Sequence, residues 1–201
     1  MKWTTQSICA CVWIFSLPSW AQEADGCPAG SYAIVVSPDG ATVSLLFDKF
    51  TVENTGILGG TSPKKVCRIS APLNLPENHS IGVYKVDYRG FAKLVAKQRA
   101  HLEVQYFLGP HPNYNDGDNK HGRVFKRSVK GPYEDDYLFT ETIGAGQMKR
   151  AGCGAATALN VSITLSLDRD QPTGKAMASL DTTDGNARAA LVYHVDLKKC
   201  H

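Results

Sequence analysis

The stretch LNVSITLSLD at 159–168 has an apolar residue at every second position and polar residues between them. A period of two sends alternate side chains to opposite faces of a β-strand, so the stretch predicts a strand with one buried and one solvated face. Segments 100–108 and 187–197 repeat the pattern, which is typical of antiparallel sheets. The apolar set is Leu159, Val161, Ile163, Leu165 and Leu167, then Ala100, Leu102, Val104, Tyr106 and Leu108, then Ala187, Ala189, Leu191, Tyr193, Val195 and Leu197.

Turn-forming residues separate these and other apolar runs at short intervals, as in SPDG at 37–40 and LPENHS at 75–80. Glycine tolerates positive φ and proline presets the turn, so such clusters end strands. Short strands with frequent turns predict an all-β, single-domain antiparallel β-sandwich of about nine strands over residues 22–201. The predicted strands are 32–37, 42–52, 66–74, 80–89, 91–97, 100–108, 136–142, 158–167 and a last pair within 175–197.

The first 21 residues have the composition of a secretory signal peptide. Lys2 precedes the apolar run ICACVWIFSL, and the small residues Ser19 and Ala21 occupy the cleavage positions. We expect cleavage after Ala21 and a secreted product, either extracellular or periplasmic. No later segment approaches the ~20 apolar residues of a membrane-spanning helix, so we expect no transmembrane segment.

The charge pattern gives no indication of a nucleic-acid partner. Lys and Arg number 22 against 19 Asp and Glu, and the formal net charge is +3. The two signs alternate along the chain, which is the pattern of a solvated surface, whereas nucleic-acid binding favours clustered basic residues. We therefore expect no nucleic acid among the partners of this protein.

Four cysteines remain after the predicted signal peptide: Cys27, Cys67, Cys153 and Cys200. An even number of cysteines in an exported chain predicts two disulfides, and four cysteines allow three connectivities. We favour a bond between Cys27 and Cys200 because it would tie down both chain ends, which otherwise fray, and this leaves Cys67 with Cys153. There is no CxxC pair to indicate a structural zinc site.

Residues 109–136 show almost no apolar periodicity and are long for a connection within a compact domain, which predicts a functional or unstructured loop. Within it, Asn115, Asp116 and Asp118 offer hard oxygen donors of the kind that calcium prefers, although their spacing is not that of an EF-hand. Loops rich in Asn and Asp also form turns for purely local reasons. We therefore expect no cofactor, and calcium at these three residues is the alternative.

The polar run VDYRG lies in the predicted strand that begins at residue 80. Strict alternation places Tyr84 and Tyr88 on the buried face and Asp87 and Arg89 on the solvated face, where the two charges can pair. Gly90 would then permit a sharp reversal of the chain. The alternative is a binding role for Tyr84, Asp87, Tyr88 and Arg89, since aromatic rings beside a guanidinium suit sugar or anion recognition.

The acidic residues allow a hydrolase hypothesis. PYEDDY contains Glu134, Asp135 and Asp136, and a glycosidase needs two carboxylates across a sugar. Adjacent residues of a strand point to opposite faces, so a partner such as Asp87 or Glu103 would be required. The competing interpretation is a charged edge strand that resists sheet-to-sheet aggregation. The sequence contains neither GxSxG nor HExxH.

Four motifs, VCRISAPLNLP, GVYKVDYRGFAKL, AHLEVQYFLG and CGAATALNVSITLSL, are followed by a cysteine near the end of the chain. With these motifs the sequence resembles a family of small secreted bacterial and fungal proteins known as domain of unknown function 4360. This chain has Glu77 where family members tend to have glycine, and HVDLKKC where they tend to have tryptophan before the last cysteine. The resemblance implies an exported, disulfide-linked β-domain and supplies no catalytic residue.

Together these features predict a secreted, non-catalytic binding or surface-associated module. A rigid disulfide-linked sandwich with a long polar loop is a common layout for recognition. Carbohydrate or another component of the cell envelope is the partner class we expect. A polysaccharide hydrolase using paired carboxylates is the alternative, and an interaction protein such as a toxin subunit or inhibitor would instead show an exposed apolar patch.

Overall fold

The alternating apolar residues of the sequence are buried between two antiparallel β-sheets. The computed structural model describes residues 26–54, 63–110, 122–168, 174–180 and 190–200. These residues form twelve β-strands and one short 3-10 helix, Ala145–Gln147. The strands are β1 Tyr32–Val36, β2 Thr42–Phe47, β3 Thr51–Asn54, β4 Lys64–Leu73, β5 His79–Leu94, β6 Arg99–Gly109, β7 Arg123–Lys130, β8 Tyr133–Thr142, β9 Arg150–Gly152, β10 Thr157–Leu167, β11 Ala176–Ser179 and β12 Leu191–Lys199.

The larger sheet has eight strands and is organised around β5. Its order is β1-β2-β12-β5-β11-β3, and β8 and β9 also pair with β5. The smaller sheet has the order β4-β10-β6-β7. This architecture confirms the predicted all-β, sandwich-like fold with two disulfides.

The strand count of about nine was too low for three physical reasons. Residues 42–52 divide into β2 and β3, and β9 is too short to produce a periodic pattern. Part of the predicted loop 109–136 is strand β7, whose sequence RVFKRSVK carries charged residues on both faces and therefore hides its alternation. Conversely, β5 runs as one strand through Gly90, where we predicted a reversal.

The inward faces of β10 and β6 agree with the prediction. All five alternating residues of β10 are buried, and so are those of β6 up to Tyr106. In β12 the buried face ends at Val195, and Leu197 is exposed; Ala187 and Ala189 lie outside the described residues. Asn160, predicted to be solvated, is also buried, and its amide oxygen accepts a 2.6 Å hydrogen bond from the Ser70 hydroxyl.

The disulfides join Cys27 to Cys67 and Cys153 to Cys200, so the predicted pairing of the chain ends was wrong. The cysteine pairing follows from which backbone segments lie next to each other. The Gly26 amide donates to the Val66 carbonyl (3.0 Å), which brings Cys27 beside Cys67. At the other end the Cys200 amide donates to the Asn78 carbonyl (2.7 Å), and the Cys153 amide donates to the neighbouring His79 carbonyl (2.9 Å).

We expect the two disulfides to be reduced in sequence, Cys153–Cys200 first. Cys153 is exposed, whereas Cys27 and Cys67 are both buried in the core, and thiol–disulfide exchange requires access of the attacking thiolate. Stepwise reduction of the folded protein followed by alkylation and peptide mapping measures the order. Modification of Cys27 and Cys67 before, or together with, the other pair would contradict this prediction.

Candidate functional site

A β-bulge in β5 turns Tyr84 out of the core. Along the pairing with β12, Lys85 lies opposite His194 and Val83 lies opposite Val195. Tyr84 is therefore an extra residue of β5 that has no paired residue on β12. The bulge resets the alternation, and Val83 is therefore buried while Tyr84 is 42% exposed. The prediction that Tyr84 packs inward was wrong. Its ring instead lies beside the His194 ring, with 6.0 Å between the centroids.

Asp87 is the centre of a polar network on the same outward surface. Its Oδ1 accepts a hydrogen bond from the Thr140 hydroxyl (2.6 Å), and its Oδ2 contacts His194 Nε2 (2.8 Å) and Lys85 Nζ (3.0 Å). Burial raises the pKa of this carboxyl, but the hydrogen bonds from Thr140, Lys85 and His194 outweigh burial, and the net pKa lies below its usual value. Asp87 is therefore a carboxylate at neutral pH.

The predicted ion pair between Asp87 and Arg89 is replaced by this network. Lys85 Nζ and His194 Nε2 both reach the carboxylate, so Asp87 is held by a neighbour on β5 itself and by a residue of the adjacent strand β12. Arg89 lies farther along the same face of β5, opposite Leu138 of β8. We call this surface the Tyr84 face and define it by Tyr84, Lys85, Asp87, Arg89, Thr140 and His194.

Tyr88 lies on the opposite side of the sheet from the Tyr84 face. Its side chain is 1% exposed and packs against Phe125 of the smaller sheet, with 6.1 Å between the ring centroids. Burial and the nearby charge of Glu141 raise the pKa of its hydroxyl. Of the four predicted binding residues, the structure therefore places Tyr84, Asp87 and Arg89 on one face and keeps Tyr88 in the core.

Three of the five acidic residues of the hydrolase hypothesis contact different partners. Glu134 pairs with Lys93 at 2.5 Å on the larger sheet, and Glu103 pairs with Lys126 at 2.9 Å on the smaller sheet. Asp87 is held in its own network. Glu134, Asp135 and Asp136 are all exposed on strand β8, which pairs with β5. Their exposure agrees with the competing interpretation, in which a charged strand resists sheet-to-sheet aggregation.

The predicted calcium residues Asn115, Asp116 and Asp118 lie outside the described residues. Within the part of the chain that the structure describes, no three His, Cys, Asp or Glu side chains are grouped so as to hold a metal ion. No helix among the described residues is both long and apolar enough to cross a membrane.

Two features escaped sequence reasoning because strand pairing creates them. The first is an ion pair between Glu141 of β8 and Arg127 of β7, which joins the two sheets near one side. The second is a pocket between two strand-connecting segments, 73–79 and 152–157. The local sequence of these segments indicated only turns, through their glycine, proline and asparagine residues. The lining residues of the pocket are Leu73, Asn74, Leu75, Pro76, Glu77, His79, Gly152, Gly154, Ala155, Ala156 and Thr157.

Comparison with known proteins supports the predicted compartment. An uncharacterized secreted protein of Arthroderma benhamiae is 23% identical over 176 residues, which cover 87% of this chain and 67% of that protein. Together with the two disulfides, this relative confirms the prediction that the protein is secreted. The predicted signal peptide itself lies outside the described residues.

Among solved structures, the chain is similar to TmCBM61 in complex with β-1,4-galactotriose. The match covers 90% of this chain and 88% of that one at 11% identity, and its TM-score is 0.30, so we base no inference on it. A family profile described as domain of unknown function DUF4360 matches residues 17–200. Because this match spans nearly the whole chain, the protein belongs to the DUF4360 family.

Proposed function

We propose that this secreted protein is a binding module that recognises carbohydrate of a cell envelope through the Tyr84 face. The observation that carries the proposal is the β-bulge. It removes Tyr84 from a core position and presents its ring, 42% exposed, beside His194. Bulges interrupt a ladder and are common where a strand must re-aim a side chain next to a functional site.

An exposed tyrosine suits a sugar because its ring is apolar and its hydroxyl is polar. The apolar face of a sugar ring can lie on the tyrosine ring, while the sugar hydroxyls need hydrogen-bond partners at the rim of that contact. Lys85, Arg89 and His194 supply such groups on the same surface. Small-ligand sites commonly combine an apolar contact with a few fixed polar groups in this way.

The Asp87 network holds the polar part of this face in place before a ligand arrives. One carboxylate contacts Thr140, Lys85 and His194, which come from three adjacent strands. Side chains fixed in this way lose little conformational freedom on binding, which favours affinity. The Asp87 carboxylate already accepts three contacts, so it is poorly placed to take a proton from a substrate. This favours binding over hydrolysis.

Replacing Tyr84 with alanine is expected to weaken carbohydrate binding by about tenfold or more, the effect of losing ~1.4 kcal/mol of contact energy. Because the side chain is exposed, the melting temperature should stay close to that of the parent. Isothermal titration against a panel of soluble cell-envelope polysaccharides, first with the parent and then with the variant, measures both the partner and the loss.

Val124→Ala is the matched control, since Val124 is a similarly exposed apolar residue on β7 of the other sheet. It should leave the affinity unchanged. The proposal fails if Tyr84→Ala binds as tightly as the parent, if no polysaccharide binds, or if reducing-sugar assays show that the protein cleaves one of them.

A further inference from the structure

The pocket between residues 73–79 and 152–157 is a concave site, and it shares no residue with the Tyr84 face. The first segment connects β4 to β5, and the second connects β9 to β10. Its volume is about 350 Å³, near the lower end of the ~300–1,000 Å³ typical of small-ligand pockets. It is therefore large enough for one small group and too small for an extended chain.

The walls of the pocket are fixed by covalent and hydrogen bonds. The Cys153–Cys200 disulfide attaches the second segment to the residue that follows β12, and the Cys153 amide donates to the carbonyl of His79 in the first segment (2.9 Å). Both segments contain backbone in the left-handed region, at Asn78 (φ 54°) in the first and at Cys153 (φ 58°) and Gly154 (φ 90°) in the second. Such conformations persist where the surrounding structure enforces them, so the pocket is formed before any ligand binds.

The hydrogen bond of His79 determines what its imidazole offers to a ligand. Nδ1 lies 2.8 Å from the backbone carbonyl oxygen of Glu77. A carbonyl oxygen can only accept, so Nδ1 carries the hydrogen and donates it. In the neutral ring, Nε2 is then the acceptor, and no described residue occupies it.

Glu77 and Asn74 add further acceptor oxygens to the pocket. Among its lining residues Glu77 is the single charged one, and its carboxylate can only accept hydrogen bonds. Asn74 adds an amide oxygen, and within the described part of the chain neither side chain is engaged in a hydrogen bond. Leu73 and Leu75 add aliphatic surface. The pocket thus presents negative charge and acceptors beside an apolar wall, although the chain as a whole carries a net charge of +3.

We propose that this pocket binds the primary ammonium group of a short aliphatic amine. An ammonium has three donors and no acceptor, which complements the three acceptors of Glu77, His79 and Asn74. Its positive charge offsets that of Glu77, and its carbon chain contacts Leu73 and Leu75. Lys199 lies opposite His79 in the register of β12 and β5, outside the pocket lining.

The test compares n-butylamine, a cation at neutral pH, with n-butanol, which has the same chain length and no charge. The ¹⁵N-labelled full-length secreted protein is titrated with each compound while the amide signals of Gly152, Gly154 and Ala156 are followed by NMR. We expect saturable shifts with butylamine and at least about tenfold weaker binding of butanol, as for loss of a charged hydrogen-bonding group.

Glu77→Gln removes the charge but keeps the size of the side chain, and it should weaken butylamine binding by about tenfold. Glu134→Gln is the matched control, because Glu134 is an exposed carboxylate in an ion pair with Lys93, away from the pocket. It should leave the affinity unchanged. Since Glu77 is exposed, both variants should fold, and a thermal melt of each verifies this.

Equal binding of butanol and butylamine, equal losses in the two variants, or shifts confined to amides outside the pocket would each overturn the proposal. Displacement of butylamine by Zn²⁺ at equimolar concentration would also overturn it, because it would identify Glu77 and His79 as metal ligands. None of these measurements uses a polysaccharide or Tyr84, so the result is independent of carbohydrate binding at the Tyr84 face.

Discussion

Replacing Tyr88 with alanine is expected to lower the free energy of unfolding by about 3 to 5 kcal/mol, as other deletions of large buried aromatic side chains do. The tyrosine is 1% exposed and bridges the two sheets by its contact with Phe125. Alanine would leave a cavity at this point that two rigid sheets can close only in part. Urea denaturation at constant pH measures the change, and a variant as stable as the parent would show that Tyr88 is not a core residue.

Tyr88→Phe separates packing from hydrogen bonding in the same position. The Tyr88 hydroxyl has no hydrogen-bond partner among the described residues, although it is fully buried. Removing an unsatisfied buried hydroxyl is neutral or stabilising, whereas removing a satisfied one costs about 1 kcal/mol. We therefore expect Tyr88→Phe to be at least as stable as the parent. Arg89→Ala, on the neighbouring solvated position, should cost about 1 kcal/mol or less.

The sequence predicted the fold well wherever a strand is regular and faces the core on one side. In β10 and β6 the buried residues recur at every second position, because the pleat sends alternate side chains to one face. This information is local, so it is readable without knowledge of the partner strands. The position of Tyr88 in the core followed from the same alternation.

The alternation failed where a long-range contact changes the strand. The bulge at Tyr84 exists because β12 pairs with one residue fewer than β5 provides, and nothing in the local sequence marks this. The disulfide pairing was predicted wrongly for a similar reason. Chain-end fraying is a general argument, but Cys27 lies beside Cys67 because the backbone of Gly26 hydrogen-bonds to Val66.

The candidate site was predicted in part. Tyr84, Asp87 and Arg89 were selected as binding residues, yet His194 and Thr140 join them from strands more than 50 positions away. The pocket residues Glu77 and His79 looked like a turn between strands because their counterpart, Gly152–Thr157, is brought to them by the pairing of β9 with β5 and of β10 with β4. Sequence periodicity shows which face a residue occupies, while the partners on that face depend on topology.

Gly90, which the sequence suggested as a point of chain reversal, instead lies inside β5. Its partner across the ladder is Tyr137 of β8, and the Tyr137 hydroxyl donates a 2.7 Å hydrogen bond to the Ser179 carbonyl of β11. A Cβ atom at position 90 would come well under 3.0 Å from both that carbonyl oxygen and the Tyr137 hydroxyl. Glycine is therefore required by close packing and not by a turn.

Gly90→Ala is expected to destabilise the protein by about 3 kcal/mol or more, at or beyond the upper end of typical overpacking effects, because a backbone oxygen held by β11 cannot move aside as a side chain can. Gly144→Ala is the matched control, since Gly144 has an ordinary φ of −61° and no atom within 4 Å of an added Cβ. It should change stability by about 0.5 kcal/mol or less. Urea denaturation of both variants measures the difference. If the two are equally stable, β11 and β8 do not crowd β5 at Gly90, and the sheet must separate more easily at this point than the Tyr137–Ser179 hydrogen bond implies.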